Sequence, residues 1–313
     1  MKANRIDRFL KLMKDRGASD LHLTTGRPPI FRLSGRIDPI RYRVLNDHDF
    51  EDLLRPTAPE HLWKEYIETG DADYAYAVEG LARFRVNLFR QERGHGAVLR
   101  IIPSKIMTLD QLGMPHSVRS IAKMRSGLVL VTGPTGSGKS TTLAAMIDFI
   151  NKNRSDHIIT IEDPIEFVHP HKKSIVTQRE VGVDTQSWDN ALKNTLRQAP
   201  NVILVGEVRT RETMEYAINF AETGHLVLCT LHANSSNQAL DRIINFFDEA
   251  KREQLLMDLS LNLRALLSQR LVRKEGGGRC AAMEILLNTP HVADMIFKGK
   301  VGELKEVMSR GNE

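Results

Sequence analysis

The sequence predicts an α/β chain with two domains: a small α+β domain, followed by a larger domain in which helices cover a parallel sheet. Its 313 residues exceed one typical domain of about 100–200 residues. Hydrophobic residues make up 41% and charged residues 27%, enough to form cores and unlike a disordered chain. Before residue 103 short strands alternate apolar and polar positions. After residue 126 continuous apolar runs of strand length alternate with helical stretches.

Composition and charge exclude several classes of protein. The two cysteines, Cys229 and Cys280, are too few for a disulfide framework or a four-thiolate zinc site. No apolar run approaches the roughly 20 residues that span a bilayer, and residues 1–20 carry charges every few positions, unlike a secretory signal. The net charge of +5 permits contact with phosphates without requiring it, and no nucleic-acid-binding signature stands out. We therefore expect a soluble, intracellular protein without a nucleic-acid partner.

The first domain, placed at 1–103, is predicted to mix helices with short strands. Apolar residues recur at helical spacing from Ile6 to Met13 and predict an opening helix that ends near Gly17. Residues 83–88 alternate between a polar and an apolar face, as a half-buried strand does. The other predicted elements are strands at Asp20–Leu23, Ile30–Leu33 and Ala97–Ile102, turns at 26–29, Ser34-Gly35 and Glu92–Gly96, and a helical stretch through Phe50 and Leu54.

A linker at 104–125 and a second domain at 126–313 follow. Four continuous apolar runs predict buried parallel strands: Leu128–Val131, Ile158–Ile161, Val202–Val205 and Leu226–Leu231. Leucines at helical spacing from Leu255 to Leu271 predict one long amphipathic helix, so we expect the C-terminal part to be mainly helical. A glycine turn at 276–278, a strand at Cys280–Leu287 and a short helical end complete the domain.

A glycine-rich segment directly after the first of these strands matches the pattern G-x-x-x-x-G-K-[ST] and leads into a helix. Such a strand–loop–helix unit binds a nucleoside triphosphate, because successive backbone N–H groups and the helix N-terminus face the phosphates. Lys139 is expected to reach the β- and γ-phosphates, and the Ser140 hydroxyl to bind magnesium. The predicted nucleotide-binding residues are Gly133, Pro134, Thr135, Gly136, Ser137, Gly138, Lys139, Ser140 and Thr141.

Acidic residues at the ends of two other predicted strands are candidates for hydrolysis. Val202–Val205 ends in Gly206-Glu207, so glycine stands where many P-loop enzymes place a magnesium-binding aspartate, and Glu207 remains to polarise the attacking water. The outer shell of the metal must then come from elsewhere. The candidates after Ile158–Ile161 are Glu162, Asp163 and Glu166. The alternative is that these acids are surface carboxylates at a turn around Pro164.

Two histidines mark the beginning and the end of the last parallel strand. His232 lies at its carboxyl end, beside the expected γ-phosphate, and could sense it. His225, at its start, is a candidate nucleotide-binding residue and is equally compatible with a structural role. Neither histidine has a Cys or His partner at a ligand spacing, so metal binding is not expected.

Four motifs follow one another along the chain: the Walker A loop at 133–140, an acidic box at 161–167, an atypical Walker B at 204–207 and a histidine box at 223–232. In this order they resemble the PilT/PilU family of type IV pilus retraction motors, in the secretion-ATPase superfamily. The resemblance extends from the Ala18–His22 segment to Leu271, and 178–181 and 255–271 look closer to PilU.

The resemblance implies a hexameric ring in which a PAS-like N-terminal domain closes on a RecA-like ATPase domain, with ATP and Mg²⁺ at the junction. It implies that Glu207 is the catalytic glutamate and that Glu166 helps to hold Mg²⁺ through water. Two arginines that match by position, Arg85 and Arg100, would sense the γ-phosphate, for which a planar guanidinium is suited. The arginines that we expect to face solvent are Arg83 and Arg90. Inner-membrane attachment at the cytoplasmic face would come through a platform protein of the pilus machinery.

The chain departs from the family pattern near its end. Residues 291–296 lack the arginine of the Ala-Ile-Arg-Asn-Leu-Ile box of PilT, and the sequence ends at Glu313, earlier than expected. Whether this chain retracts a pilus alone is therefore open. The alternatives are an accessory nucleotide-binding ATPase that acts with a PilT-like partner, a P-loop kinase and, less favoured, a DNA translocase. The two cysteines argue against the zinc-containing extension and secretion relatives.

Overall fold

The structure, a computed structural model, describes residues 4–33, 35–102, 105–275 and 278–310. By their internal contacts the residues form two units, Met1–Ser104 and Lys105–Glu313. Each unit contains one sheet with helices, which is the α/β class that the sequence predicts. Within these described ranges no helix combines the length and the apolar character needed to cross a membrane.

The described part of the first unit contains a six-stranded antiparallel sheet and three α-helices. Its elements are α1 (Arg5–Asp15), β1 (Asp20–Thr24), β2 (Ile30–Leu33), β3 (Arg36–Pro39), α2 (Asp47–Leu54), α3 (Glu60–Thr69), β4 (Asp71–Val78), β5 (Ala82–Gln91) and β6 (Gly94–Ile102). The strand order is β3-β2-β1-β6-β5-β4. Helix α1 buries Ile6, Leu10 and Met13, and β5 buries Phe84, Val86 and Leu88 in the same core. The predicted opening helix and alternating strand are thus confirmed.

The turn predicted at Glu92–Gly96 is wrong in its second half, because β6 already begins at Gly94. Gly96 lies within the strand, opposite Phe89. A Cβ atom at Gly96 would lie 2.3 Å from Cε2 of the Phe89 ring, so this glycine permits close packing rather than a turn. The turn predicted at Ser34-Gly35 falls partly on Ser34, which is outside the described residues.

The second unit is a seven-stranded sheet with helices on both faces. Its elements are α4 (His116–Ala122), β7 (Gly127–Thr132), α5 (Lys139–Asn153), β8 (His157–Glu162), β9 (Ile175–Glu180), α6 (Trp188–Thr195), β10 (Val202–Val205), α7 (Arg211–Glu222), β11 (Leu226–Leu231), α8 (Ser236–Asn245), α9 (Arg252–Asn262), β12 (Leu263–Arg273), β13 (Arg279–Leu287), α10 (Pro290–Phe297) and α11 (Leu304–Arg310). The strand order is β13-β12-β7-β11-β10-β8-β9.

The four predicted parallel strands are confirmed as β7, β8, β10 and β11, and every residue of β7, β10 and β11 is buried. Strand β9 extends this parallel sheet and is not among the predictions. The segment predicted as a linker, 104–125, contains α4, whose Val118 and Ile121 pack in the core of this unit. The domain boundaries themselves stay a prediction.

The single long helix predicted from Leu255 to Leu271 is wrong. Helix α9 ends at Asn262, and β12 continues from Leu263, parallel to β7 and antiparallel to β13. A leucine-rich run fits a buried strand as well as a buried helix, and here pairing with two neighbouring strands selects the strand. The strand predicted at Cys280–Leu287 is confirmed as β13. The predicted glycine turn falls largely on Gly276 and Gly277, which are outside the described residues.

Candidate active site

The candidate site lies at the carboxyl edge of the parallel strands of the second unit. The glycine-rich loop follows β7, the acidic segment 162–166 begins at the last residue of β8, Glu207 follows β10 and His232 follows β11. Because these strands are parallel neighbours, their carboxyl ends meet at one edge, where open α/β sheets bind ligands. The predicted strand–loop–helix arrangement is present.

The glycine-rich loop needs glycine for both its conformation and its packing. Gly133 has φ 151° and Gly138 has φ 89°, which side chains rarely adopt. A Cβ atom at Gly133 would also lie 2.3 Å from the carbonyl oxygen of Gln269. Helix α5 begins directly after Gly138, so its first backbone N–H groups face the inside of the loop.

Lys139 lies across the mouth of this loop. Its Nζ donates to the carbonyl oxygen of Gly133 at 2.8 Å and to that of Pro134 at 3.1 Å. Burial lowers the pKa of Lys139, and the nearby carboxylates of Glu207 and Glu166 partly offset this effect. Both predicted acids therefore act electrostatically on the ammonium group of Lys139.

Gln269, which was not among the predicted site residues, holds the glycine-rich loop by hydrogen bonds. The side chain of Gln269 on β12 is buried, and its Nε2 donates to the carbonyl oxygen of Ser137 at 2.8 Å. Its Oε1 accepts a hydrogen bond from the Thr142 hydroxyl at 2.7 Å, which ties the loop to the first turn of α5. The leucine pattern predicted a helix from Leu255 to Leu271, which includes Gln269. The sequence therefore gave no reason to expect this contact.

Replacing Gln269 by Leu is expected to lower the free energy of unfolding by about 1–3 kcal/mol and to raise the KM for ATP. The change keeps the volume but leaves the Ser137 carbonyl and the Thr142 hydroxyl buried without a partner. Denaturant unfolding measures the first effect and steady-state hydrolysis the second. Gln254→Leu, at an exposed position on α9, is the matched control and should change stability by no more than about 0.5 kcal/mol. Equal behaviour of the two variants would contradict the supporting role.

Glu207 is held between two nitrogen-containing side chains. Its Oε1 lies 3.0 Å from His232 Nε2, and its Oε2 lies 2.6 Å from Arg209 Nη2. The pKa of His232 is lowered by burial and by the charge of Lys139, so near neutral pH its imidazole is mostly uncharged and can donate Nε2–H to the carboxylate. Arg209 was not predicted.

The backbone around Glu207 is tied to β11 on both sides. The hydroxyl of Thr230 donates to the carbonyl oxygen of Gly206, and the carbonyl oxygen of Thr230 accepts from the backbone N–H of Val208 at 2.9 Å. Because β10 ends at Val205, these two bonds fix a segment that lies outside the regular strand. They orient the carboxylate of Glu207 toward His232.

The close approach of β8 accounts for the glycine at position 206. A Cβ atom there would lie 3.1 Å from Cα of Glu162 and from the carbonyl oxygen of Ile161, so an aspartate would crowd β8. Glu162 lines a cavity of about 30 Å³ together with Ser140 and Thr230. Burial raises the pKa of Glu162 to about 7, although hydrogen bonds from Thr160 and Gln178 lower it in part.

The two other predicted acids, Asp163 and Glu166, are exposed, and Glu166 is close enough to Lys139 to affect its pKa. Among the described residues no group of three or more His, Cys, Asp or Glu side chains is arranged to hold a metal ion by itself. The oxygen donors that the site does offer, a hydroxyl and carboxylates, suit Mg²⁺, which usually keeps several waters and binds phosphate oxygens as well.

Three predicted site residues lie elsewhere: His225 is far from the glycine-rich loop in the second unit, and Arg85 and Arg100 belong to the first unit. His225 lies at the start of β11, about 20 Å along the strand from His232, and its Nδ1 is 3.0 Å from the carbonyl oxygen of Phe220. Arg85 and Arg100 belong to the first unit, where they face each other across β5 and β6. The nucleotide-contacting roles of all three stay predictions. Contrary to expectation Arg83 is half-buried, whereas Arg90 is exposed beside the ring of Tyr66.

The loop between β7 and α5, with acidic residues at the carboxyl ends of β8 and β10, defines the chain as a P-loop NTPase. The family described as Type II/IV secretion system protein matches residues 71–303. Within it the chain belongs to the PilT/PilU family of secretion ATPases, as the order of motifs predicts.

Individual relatives match along nearly the whole chain. It is 50% identical over 308 residues to the type IV pilus ATPase PilU of Pseudomonas aeruginosa, covering 98% of this chain and 81% of that protein. It is 44% identical over 306 residues to the type IV pilus retraction ATPase PilT of the same bacterium, covering 98% and 89%. A crystal structure of the pilus retraction motor PilT with bound ADP superimposes with a TM-score of 0.93 at 43% identity, covering 98% and 90%. The higher identity to PilU agrees with the sequence analysis.

Proposed function

We propose that the chain is an ATP-hydrolysing motor of the type IV pilus machinery that drives pilus retraction and twitching motility. The observation that carries this proposal is the meeting of Lys139, Glu207 and His232 at one sheet edge, in a chain 50% identical to a pilus ATPase. The loop N–H groups and Lys139 bind the phosphates. Glu207 accepts a proton from the attacking water, and His232 orients the Glu207 carboxylate.

Magnesium is part of this proposal. The hydroxyl of Ser140 would hold Mg²⁺, and Glu166 would hold it through water. When bound, the ion neutralises charge on the phosphate oxygens. Arg85 and Arg100 would bind the γ-phosphate, and His225 would also contact nucleotide. The assembly would be a ring of six copies at the cytoplasmic face of the inner membrane, attached through a platform protein of the pilus machinery.

An assay of phosphate release by the purified chain tests the proposal. We expect hydrolysis of ATP without an added acceptor and without nucleic acid, and a native mass near six copies. A requirement for a phosphate acceptor would instead support a kinase, and a requirement for DNA would support a translocase. Absence of hydrolysis, both alone and with a PilT-like partner, would contradict the motor.

A second candidate is an accessory ATPase that acts together with a PilT-like paralogue. It is favoured by the segment 291–296 on α10, which reads His-Val-Ala-Asp-Met-Ile and lacks the arginine of the PilT box. Slow hydrolysis by the chain alone, with a more than additive rate when a PilT-like partner is added, would select this candidate over an independent motor.

A further inference from the structure

A row of charged side chains crosses the polar face of the N-terminal sheet. Asp20 on β1 lies directly opposite Arg32 on β2 and opposite Arg100 on β6, and Arg100 lies opposite Arg85 on β5. Directly opposed residues on neighbouring strands point to the same face of a sheet. Three arginines and one carboxylate therefore stand side by side across four strands.

Asp20 is the centre of this row. Its side chain is only 3% exposed, whereas those of Arg100 and Arg32 are 67% and 39% exposed. Its Oδ1 accepts from Arg100 Nε at 2.7 Å, its Oδ2 lies 3.5 Å from Arg32 Nε, and the Ser19 hydroxyl donates to Oδ2 at 2.8 Å. Burial alone would raise the pKa of Asp20, but the hydrogen bonds from Arg100 and Ser19 and the charge of Arg100 keep it below its usual value.

The contacts of Arg32 and Arg100 with Asp20 leave the terminal NH₂ groups of both guanidinium groups available to a ligand. Both approach Asp20 through Nε, Arg100 by a hydrogen bond at 2.7 Å and Arg32 by an ion pair at 3.5 Å, and within the described ranges no partner is found for the terminal NH₂ groups of Arg100 or Arg32. The paired terminal nitrogens of a guanidinium bind phosphate oxygens at two points. Fixing such a side chain before the ligand arrives reduces the entropy lost on binding. Arg85 is held less firmly, since its partner Asp73 is itself half exposed.

We propose that Arg32 is a third phosphate-binding arginine and that Asp20 is the positioning residue that aligns Arg32 and Arg100. This inference rests on the proposed function, in which Arg85 and Arg100 bind the γ-phosphate of ATP. It also assigns a role to Asp20 of the Ala18–His22 segment, which the proposed function leaves unexplained. The ligand is a nucleoside triphosphate, and the row provides the contact that responds to its terminal phosphate.

The test uses the full chain and measures kcat and KM for ATP. Arg32→Ala is expected to lower kcat at least about tenfold, because one donor to the phosphate oxygens is lost in the transition state. Asp20→Asn is expected to lower kcat about as much in the native background, and by less than about twofold once Arg32→Ala and Arg100→Ala are already present, since Asp20 acts through those side chains. A purely structural role would lower kcat equally in both backgrounds.

The chain contains a matched control pair in the same unit. Arg43, an exposed arginine, binds the buried carboxylate of Asp49, as Arg32 binds Asp20. Asp49→Asn and Arg43→Ala should lower the thermal midpoint about as much as Asp20→Asn and Arg32→Ala do, yet leave kcat and KM within about twofold. Unchanged kcat in Arg32→Ala and Asp20→Asn, with a strong loss in Arg100→Ala, would overturn this inference alone. Unchanged kcat in Arg100→Ala would overturn the sensor role on which it rests.

Discussion

Replacement of Glu207 by Gln is expected to lower ATP turnover by at least about 100-fold while ATP still binds. The amide keeps the size of the side chain but cannot accept a proton from water. The carboxylate of Glu207 pairs with the side chains of His232 and Arg209 rather than with the backbone of the glycine-rich loop. The variant should therefore fold and bind ATP with a Kd within about threefold of the native chain. Titration with a fluorescent ATP analogue and a phosphate-release assay measure the two quantities.

Glu215→Gln is the control for this experiment. Glu215 lies on α7 and pairs with Arg211 at 2.9 Å, outside the site, so its loss should leave turnover within about twofold. Normal hydrolysis by the Glu207 variant would remove the catalytic assignment. Loss of ATP binding in that variant would show that Glu207 supports the loop rather than the chemistry.

Replacement of Lys139 by Ala is expected to weaken ATP binding by about 10–100-fold and to abolish turnover. The ammonium group supplies charge-assisted hydrogen bonds to the phosphates, each contributing about 1.5–3 kcal/mol. Within the part of the chain that the structure describes, its hydrogen bonds go to the carbonyl oxygens of Gly133 and Pro134, at the edge of the loop. The thermal midpoint should therefore change little, which separates lost binding from lost folding.

The matched control for Lys139 lies on the same helix. Lys152→Ala removes an ammonium group near the end of α5, where Lys152 pairs with Asp148 at 2.6 Å. It should leave the Kd for ATP unchanged. An unaltered Kd in Lys139→Ala, measured by the same titration, would mean that the glycine-rich loop does not bind the triphosphate.

The parts of the site that lie close together in the sequence were predictable. The strand, loop and first turn of α5 occupy consecutive residues, so the motif and the apolar run before it carry the necessary signal. The same holds for Glu207 and His232, because a continuous apolar run marks each buried strand and the first residues after it lie at the ligand-binding edge.

The wrong helix predicted through Leu271 is an element that local sequence patterns could not determine. Helical and buried-strand patterns are indistinguishable in a short leucine-rich run, and the pairing of β12 with β7 joins segments more than a hundred residues apart. Because a helix was predicted where β12 lies, the contact of Gln269 with the glycine-rich loop could not be predicted. The glycine at position 206 was visible as an anomaly, but its cause, the close approach of Glu162, was not.

Residue order alone thus established the nucleotide-binding loop, the parallel strands around it and the acids at their ends, since each depends on neighbours within a few positions. Strand order and register established which distant side chains meet. They bring His232 to Glu207, Gln269 to the loop, and Arg32 and Arg100 to a single buried carboxylate. Such contacts follow from hydrogen-bonded pairing between segments far apart in the chain, and no local periodicity encodes that pairing.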